Sequence, residues 1–249
     1  MKPSAGSRTL FAGDIHLRPG DAAAARRFFS FMESKRPRLD RLVLLGDFFD
    51  YWIGPSHLEG GDYRDAVEGL RRLTKSGLDV LFLHGNRDYF TEEAFERATG
   101  VRVAGAEVSM KLGGREVLCA HGDFIYNRNP KYTAYRRLMK FGAVRTAVLS
   151  IPASVGKTLA RGFRGVSRKT TPAHRWTPED LLKGAAPRFD RGADVLICGH
   201  IHLPVHLECE RGGRRKDLYV VGDWDGTRDV VEFDGSAWTF GPAATTTSS

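Results

Sequence analysis

Five times along this chain a short apolar run breaks abruptly into glycine, aspartate, asparagine or histidine. Thr9-Leu10-Phe11-Ala12, Leu42-Val43-Leu44-Leu45, Val80-Leu81-Phe82-Leu83, Val117-Leu118-Cys119-Ala120 and Val195-Leu196-Ile197-Cys198 are the runs. After them come Gly13-Asp14-Ile15-His16, Gly46-Asp47, Gly85-Asn86-Arg87-Asp88, His121-Gly122-Asp123 and Gly199-His200-Ile201-His202. Unbroken apolar runs this short read as strands buried on both faces. A helical stretch follows each of the first three: Asp21 to Lys35 with Phe28, Phe29 and Met32, then Asp62 to Lys75, then Thr91 to Thr99. Buried strands alternating with helices predict an α/β protein built on layered sheets. Glu107–Leu112 and Arg115–Ala120 alternate around Gly113-Gly114, a hairpin signal. Thr177-Pro178-Glu179-Asp180 is a helix start, with an N-cap, a proline at the first position and acids in the first turn. Pro204–Glu210, Lys216–Val221, Arg228–Phe233 and Ala237–Phe240 read as a β-meander, and the tail 242–249 as disordered.

A chain of 249 residues can bury a full core as one domain, or one domain with an insertion. It has no apolar stretch of signal-peptide or membrane-spanning length, so a cytoplasmic location is expected. Cys119, Cys198 and Cys209 form no disulfide framework, and the first two read as small buried hydrophobes. Charge changes the picture more. Of 38 Lys and Arg, twelve lie between Phe124 and Trp176, a segment without Asp or Glu; the rest of the chain is net negative by 4, so the +8 excess is local. Such a block is an electrostatic surface for an anionic partner. Within it, Tyr132 to Val148 has helical spacing, and 150–172 reads as a loosely helical cap. The expected organisation is a main domain over 1–123 and 177–241 with a basic helical lid inserted at 124–176.

The clusters carry the chemistry. Asp14, His16, Asp47, Asn86, His121, His200 and His202 supply two carboxylates, one amide and four imidazoles. With one carboxylate bridging, that is enough for two divalent cations with room for a water. Imidazole favours Mn²⁺, Fe²⁺ or Zn²⁺, and the lack of thiolates argues against structural zinc. Any one cluster alone reads as a turn or a cap. Five at successive strand ends read as one site. In Asp14-Ile15-His16 and His200-Ile201-His202 the ligands are expected to point the same way from extended chain. The glycine ahead of four clusters is expected to turn the chain sharply.

In this order the motifs D-x-H, G-D, G-N-x-[D/E], H and G-H-x-H resemble the calcineurin-like metallophosphoesterase superfamily over most of the chain. Within it, the chain resembles the UDP-2,3-diacylglucosamine pyrophosphatases of lipid A biosynthesis. Arg87 in Gly85-Asn86-Arg87-Asp88, Phe49 with Trp52-Ile53-Gly54, His121-Gly122-Asp123 followed by Tyr132 and Arg136, and Gly222-Asp223-Trp224 carry that likeness. Asn129 and Asp50 stand where that family commonly has Asp and Glu. The resemblance implies a layered β-sandwich flanked by helices with a helical lid insertion. It puts Asp14, His16, Asp47 and His202 on one metal, and Asp47, Asn86, His121 and His200 on the other, with Mn²⁺ the expected ion. Asp47, Asn86, Arg87 and His121 would be catalytic. Arg87 would bind the pyrophosphate, with Asn129, Tyr132, Arg136, Arg164, Ser167 and Lys169 as further substrate contacts.

The implied reaction is attack of activated water on the α-phosphorus, yielding UMP and a lipid-linked sugar phosphate. Arg87 would neutralise developing charge, its structural alternative being a pair with Asp88. Asp123 is expected to orient a histidine or the backbone. The basic segment, interleaved with Val144, Leu149, Ile151 and Phe163, fits a lid over acyl chains on an anionic inner-membrane surface. A nuclease or soluble phosphodiesterase is the alternative, disfavoured because a broad basic track with stacking aromatics is lacking. A non-catalytic binder is disfavoured because every expected ligand is present.

Overall fold

The computed structural model describes residues 7–125, 176–224 and 229–242. Strands β1 (Thr9–Ala12), β2 (Arg41–Leu44) and β3 (Asp79–Leu83) send alternate side chains into two different cores. Leu10, Ala12, Leu42, Leu44, Val80 and Phe82 pack beneath a helical layer. That layer comprises α1 (Ala22–Lys35), the single turn α2 (Ser56–Glu59), α3 (Arg64–Lys75) and α4 (Glu93–Thr99). Phe11, Val43, Leu45, Leu81 and Leu83 face the other way, against a second sheet. Burial on both faces is why these runs show no polar alternation.

β4 (Arg102–Gly105) extends the first sheet beside β3 and parallel to it, and Arg102 and Gly105 leave it no apolar run for the pattern to reveal. The second sheet contains β5 (Glu107–Leu112), β6 (Arg115–Ala120), β7 (Val195–Cys198), β8 (Val205–Arg211) and β9 (Arg214–Val220) in the order β5-β6-β7-β9-β8. The predicted hairpin is β5–β6, in register Leu112 opposite Arg115 across two glycines with positive φ. Helix α5 (Pro178–Asp190) covers the outer face of this sheet through Leu181, Ala185 and Phe189. Its start is at the predicted N-cap, Thr177, which forms a capping box in which Thr177 and Asp180 bond each other's backbone amides. The layers are therefore helix, sheet, sheet, helix: the expected α/β sandwich.

The meander is not formed as a single unit. β8 and β9 hairpin within the second sheet, whereas β10 (Val230–Phe233) crosses to the first and pairs antiparallel with β1, with β11 (Trp238–Gly241) outside it. Val231 and Phe233 enter the core between the sheets from that position, which a meander on the second sheet would deny them. Cys119 and Cys198 are buried on neighbouring strands, facing different cores. No helix among the described residues is long and apolar enough to cross a membrane. The lid and the tail lie outside the described residues, apart from Phe124, Ile125, Trp176 and the first residue of the tail.

Candidate metal centre

β1, β2 and β3 run parallel in one sheet, and β6, β7 and β9 in the other. Their carboxyl ends reach one rim, the usual place for a site in such sheets. All seven predicted ligand residues meet there. His16 Nε2 and His202 Nε2 face each other at 3.3 Å, with Asp14 Oδ1 at 3.9 and 3.7 Å from them. Beside them, His121 Nε2 lies 2.9 Å from Asn86 Oδ1 and 3.0 Å from His200 Nδ1. His200 Nδ1 is 3.1 Å from Asn86 Oδ1, and Asp47 Oδ1 is 3.6 Å from His121 Nε2. Asp14, Asp47 and His121 also bring donor atoms within 4.8 Å of one another, linking the two groups.

These donor sets fit divalent cations. His121 Nδ1–H donates to the Leu45 carbonyl at 3.0 Å, so Nε2 carries a lone pair turned towards the Asn86 oxygen. Lone pairs that face one another repel unless a cation lies between them. Two ligand atoms about 2.1 Å from one cation sit about 3.0–3.4 Å apart, and the donor atoms here approach one another to 2.9–3.9 Å. Asp14 Oδ1 is buried without a hydrogen-bond partner, an acceptor that a cation between these groups would satisfy.

The backbone differs from the expectation of extended ligand loops. Asp14, His16, Asp47, His200 and His202 all have positive φ, between 50° and 72°. They make up five of the six such non-glycine residues among those described. Left-handed backbone costs about 1 kcal/mol or more for a residue with a Cβ, and it clusters where function demands it. The strain is held by neighbouring backbone: Asp14 N–H, His16 N–H and Leu17 N–H bond the carbonyls of Gly46, Asp47 and Phe48. The glycines also act differently from expectation. Of the four preceding clusters, only Gly46 has positive φ. Gly85 and Gly199 serve close approach instead: a Cβ there would come within 2.2 Å of Asp47 Oδ1 and 2.1 Å of Asp14 Oδ2.

The electrostatics follow from burying carboxylates together. Asp14 is wholly buried, and burial with the nearby Asp47 raises its pKa well above the usual carboxylate range. Burial likewise raises Asp47 to about 6 against the opposing pull of Arg87. Burial and then the Arg87 charge push His16 down to about 3, which keeps it neutral, the form a metal needs. Perturbed groups at one rim are the expected signature of a functional site.

Arg87 does not pair with Asp88. Its guanidinium lies 3.5 Å from both Asp47 Oδ2 and Asp50 Oδ1, while its side chain keeps 29% exposure towards solvent. Asp88 is fully buried and accepts from Gly85 N (2.9 Å), Asp47 N (3.1 Å), Phe48 N (2.7 Å) and Phe49 N (3.3 Å). One carboxylate thus ties the loop carrying Asn86 and Arg87 to the loop carrying Asp47. Asp123 is buried beside His121. Asp223 reaches His202 Nδ1 at 3.1 Å, a contact ligand-type spacing could not reveal because the residues are 21 apart. Asn129, Tyr132, Arg136, Arg164, Ser167 and Lys169 lie outside the described residues.

The profile of the family described as calcineurin-like phosphoesterase matches residues 7–204. A UDP-2,3-diacylglucosamine hydrolase from Azotobacter vinelandii is 32% identical over 239 residues, covering 94% of this chain and 98% of the relative. Those from Stenotrophomonas maltophilia (32%; 93% and 96% covered) and Pseudomonas aeruginosa (31%; 91% and 95% covered) are similarly related.

Proposed function

The chain belongs to the calcineurin-like phosphoesterase family and is a metal-dependent hydrolase, and from that premise we propose that it cleaves the pyrophosphate of UDP-2,3-diacylglucosamine. The products are UMP and 2,3-diacylglucosamine 1-phosphate, with water attacking the α-phosphorus. The observation that carries this substrate is the likeness, over 91–94% of this chain, to hydrolases of that name at 31–32% identity.

Asp14, His16, Asp47 and His202 would hold one cation and Asp47, Asn86, His121 and His200 the second, Mn²⁺ being the expected ion. Bound there, the cations supply Lewis-acid polarisation of the phosphoryl oxygens and a lowered pKa for water. The residues do the rest. Arg87, steadied by Asp47 and Asp50, offers its remaining N–H groups to the non-bridging oxygens as charge builds on them. The Leu45 carbonyl keeps the His121 ring from turning. The twelve cations between Phe124 and Trp176 fit a lid that meets an anionic membrane surface and the acyl chains, which suits a cytoplasmic enzyme peripheral to the inner membrane. Asn129, Tyr132, Arg136, Arg164, Ser167 and Lys169 are the contacts assigned to the glucosamine and its chains.

The test is incubation of the purified protein and Mn²⁺ with micellar UDP-2,3-diacylglucosamine, in parallel with cyclic nucleotides and DNA, in ¹⁸O-labelled water. Release of UMP carrying the label supports the reading. Label in the sugar phosphate overturns attack at the α-phosphorus, and turnover of DNA alone overturns the lipid substrate.

A further inference from the structure

Gly222-Asp223-Trp224 lies one strand away from the loop that carries His202. β7 and β9 are parallel neighbours with Cys198 opposite Val220, and Val221 N–H bonds the Cys198 carbonyl at 2.8 Å. The chain beyond β9 therefore emerges beside the His200-Ile201-His202 loop. We propose that Asp223 is a positioning residue that holds the His202 imidazole as its Nδ1–H tautomer, with Nε2 aimed at Asp14 and His16.

The geometry that carries this is on both sides of the ring. Asp223 Oδ2 lies 3.1 Å from His202 Nδ1, and an ionised carboxylate can only accept there. The proton is thereby drawn to Nδ1, leaving a lone pair on Nε2, 3.7 Å from Asp14 Oδ1 and 3.3 Å from His16 Nε2. His202 has the most exposed ring of the two clusters, 36% for its side chain, so packing alone does not fix it. The other anchored ring, His121, obtains the same service from the Leu45 carbonyl.

Asp223 is itself braced. Trp224 is the sixth non-glycine residue with positive φ among those described, at 64°. That turn buries its indole against Phe28 and Phe31, with ring centroids 5.1 and 5.6 Å away. Arg27 of α1 donates to the Trp224 carbonyl at 3.0 Å. The strained turn is thus locked to the helical layer, and Asp223 is presented from a rigid support. A free loop carboxylate would need neither the left-handed residue nor the arginine clamp.

The inference rests on His202 being a metal-binding residue and not on the identity of the substrate, and its test separates the two. In chelator-treated protein with ¹⁵N-labelled histidine, the His202 signals, assigned by their loss in His202→Gln, report which nitrogen bears the proton. The expected wild-type state is Nδ1–H. Asp223→Ala, and Asp223→Asn, whose NH₂ group can donate to Nδ1, should each give a mixture of tautomers and weaken Mn²⁺ binding about 10–100-fold by calorimetry. An Nε2–H ring in the wild type overturns the proposal, as does Asp223→Ala with unchanged tautomer and Mn²⁺ affinity. If Asp223→Ala fails to fold, the wild-type spectrum still decides, because an Nε2–H ring there refutes the assignment. Failure to hydrolyse UDP-2,3-diacylglucosamine would leave these spectra untouched and sink only the substrate.

Discussion

Gly199→Ala isolates the reason for one glycine in the site. Gly199 lacks a positive φ, so its backbone accepts alanine without strain. Space is what alanine lacks: its Cβ would sit 2.1 Å from Asp14 Oδ2, whereas real Cβ atoms stay beyond 3.0 Å, so the carboxylate must retreat by about 1 Å. It cannot swing to solvent, because Asp14 is completely buried on a left-handed residue. Retreat breaks the 2.6 Å bond that Oδ2 accepts from His200 N–H. A hydrogen bond to a charged group contributes roughly 1.5–3 kcal/mol. Overpacking costs roughly 1–3 kcal/mol more, so the total is on the order of 4 kcal/mol. A 1 Å displacement of a catalytic constellation also costs about 10²-fold in rate. The assays are urea unfolding of chelator-treated protein and UMP release from UDP-2,3-diacylglucosamine with saturating Mn²⁺. Gly241→Ala is the control, since nothing lies within 4 Å of a Cβ there. A Gly199→Ala protein with the control's midpoint and turnover would refute the close-approach argument.

Arg87→Lys keeps a cation but loses the fork that spans Asp47 and Asp50. Turnover should fall about 10²–10³-fold with metal content by mass spectrometry unchanged; loss of metal instead would show that Arg87 serves mainly to hold Asp47. Asp88→Asn puts an NH₂ donor against the backbone N–H groups that the carboxylate now accepts. It should destabilise the protein by about 2–4 kcal/mol and speed hydrogen exchange at Phe48 and Phe49, and protection at wild-type levels would argue against the clamp. For the metal-free protein, Asp47 and Asp88 have folded pKa values of about 6 and 7, above the ordinary 3.8. Groups raised in this way stabilise the fold fully below the ordinary value, and that stability is lost as pH rises through 6 to 7. The ion-paired Asp79, Asp194 and Asp217 are shifted downward and titrate below this window, while His16, lowered to about 3, opposes the trend only up to its ordinary 6.5 and is outweighed by the two raised carboxyls. Chelated protein should therefore melt higher at pH 5.5 than at pH 8, with Mn²⁺ flattening or reversing the trend; a melting point that rises over that range without metal contradicts the buried-carboxylate argument.

Much of the fold was legible because its signals are local. A four-residue apolar run announces a strand buried on both faces, and Thr177-Pro178-Glu179-Asp180 announces α5 by hydrogen bonds within three residues. The residues that meet at the rim were legible for the same reason, since each follows its strand closely in sequence. Sheet membership was not. β10 leaves the hairpin of β8 and β9 because Val231 and Phe233 complete a core made with Phe11 and Val43, more than 180 residues earlier. The β4 strand escaped because Arg102 and Gly105 give it no apolar run.

The two misread features of the site share one cause. Histidines and aspartates in left-handed backbone, and glycines beside carboxylates, are both consequences of loops from two sheets meeting at one rim. Gly85 belongs to the β3 loop but makes room for Asp47 of the β2 loop, and Gly199 of the second sheet makes room for Asp14 of the first. Each side chain could be read from its own run, but its conformation is set by a partner loop the run does not encode. The same holds for Asp88, whose carboxylate organises Asp47 through three consecutive amides across 39–41 positions of sequence. Donor identity at this rim is therefore a local property of the chain, while donor geometry is imposed by packing between loops. Substitutions that leave every ligand in place, at Gly85, Gly199 or Asp88, should thus impair the centre nearly as much as removal of a ligand.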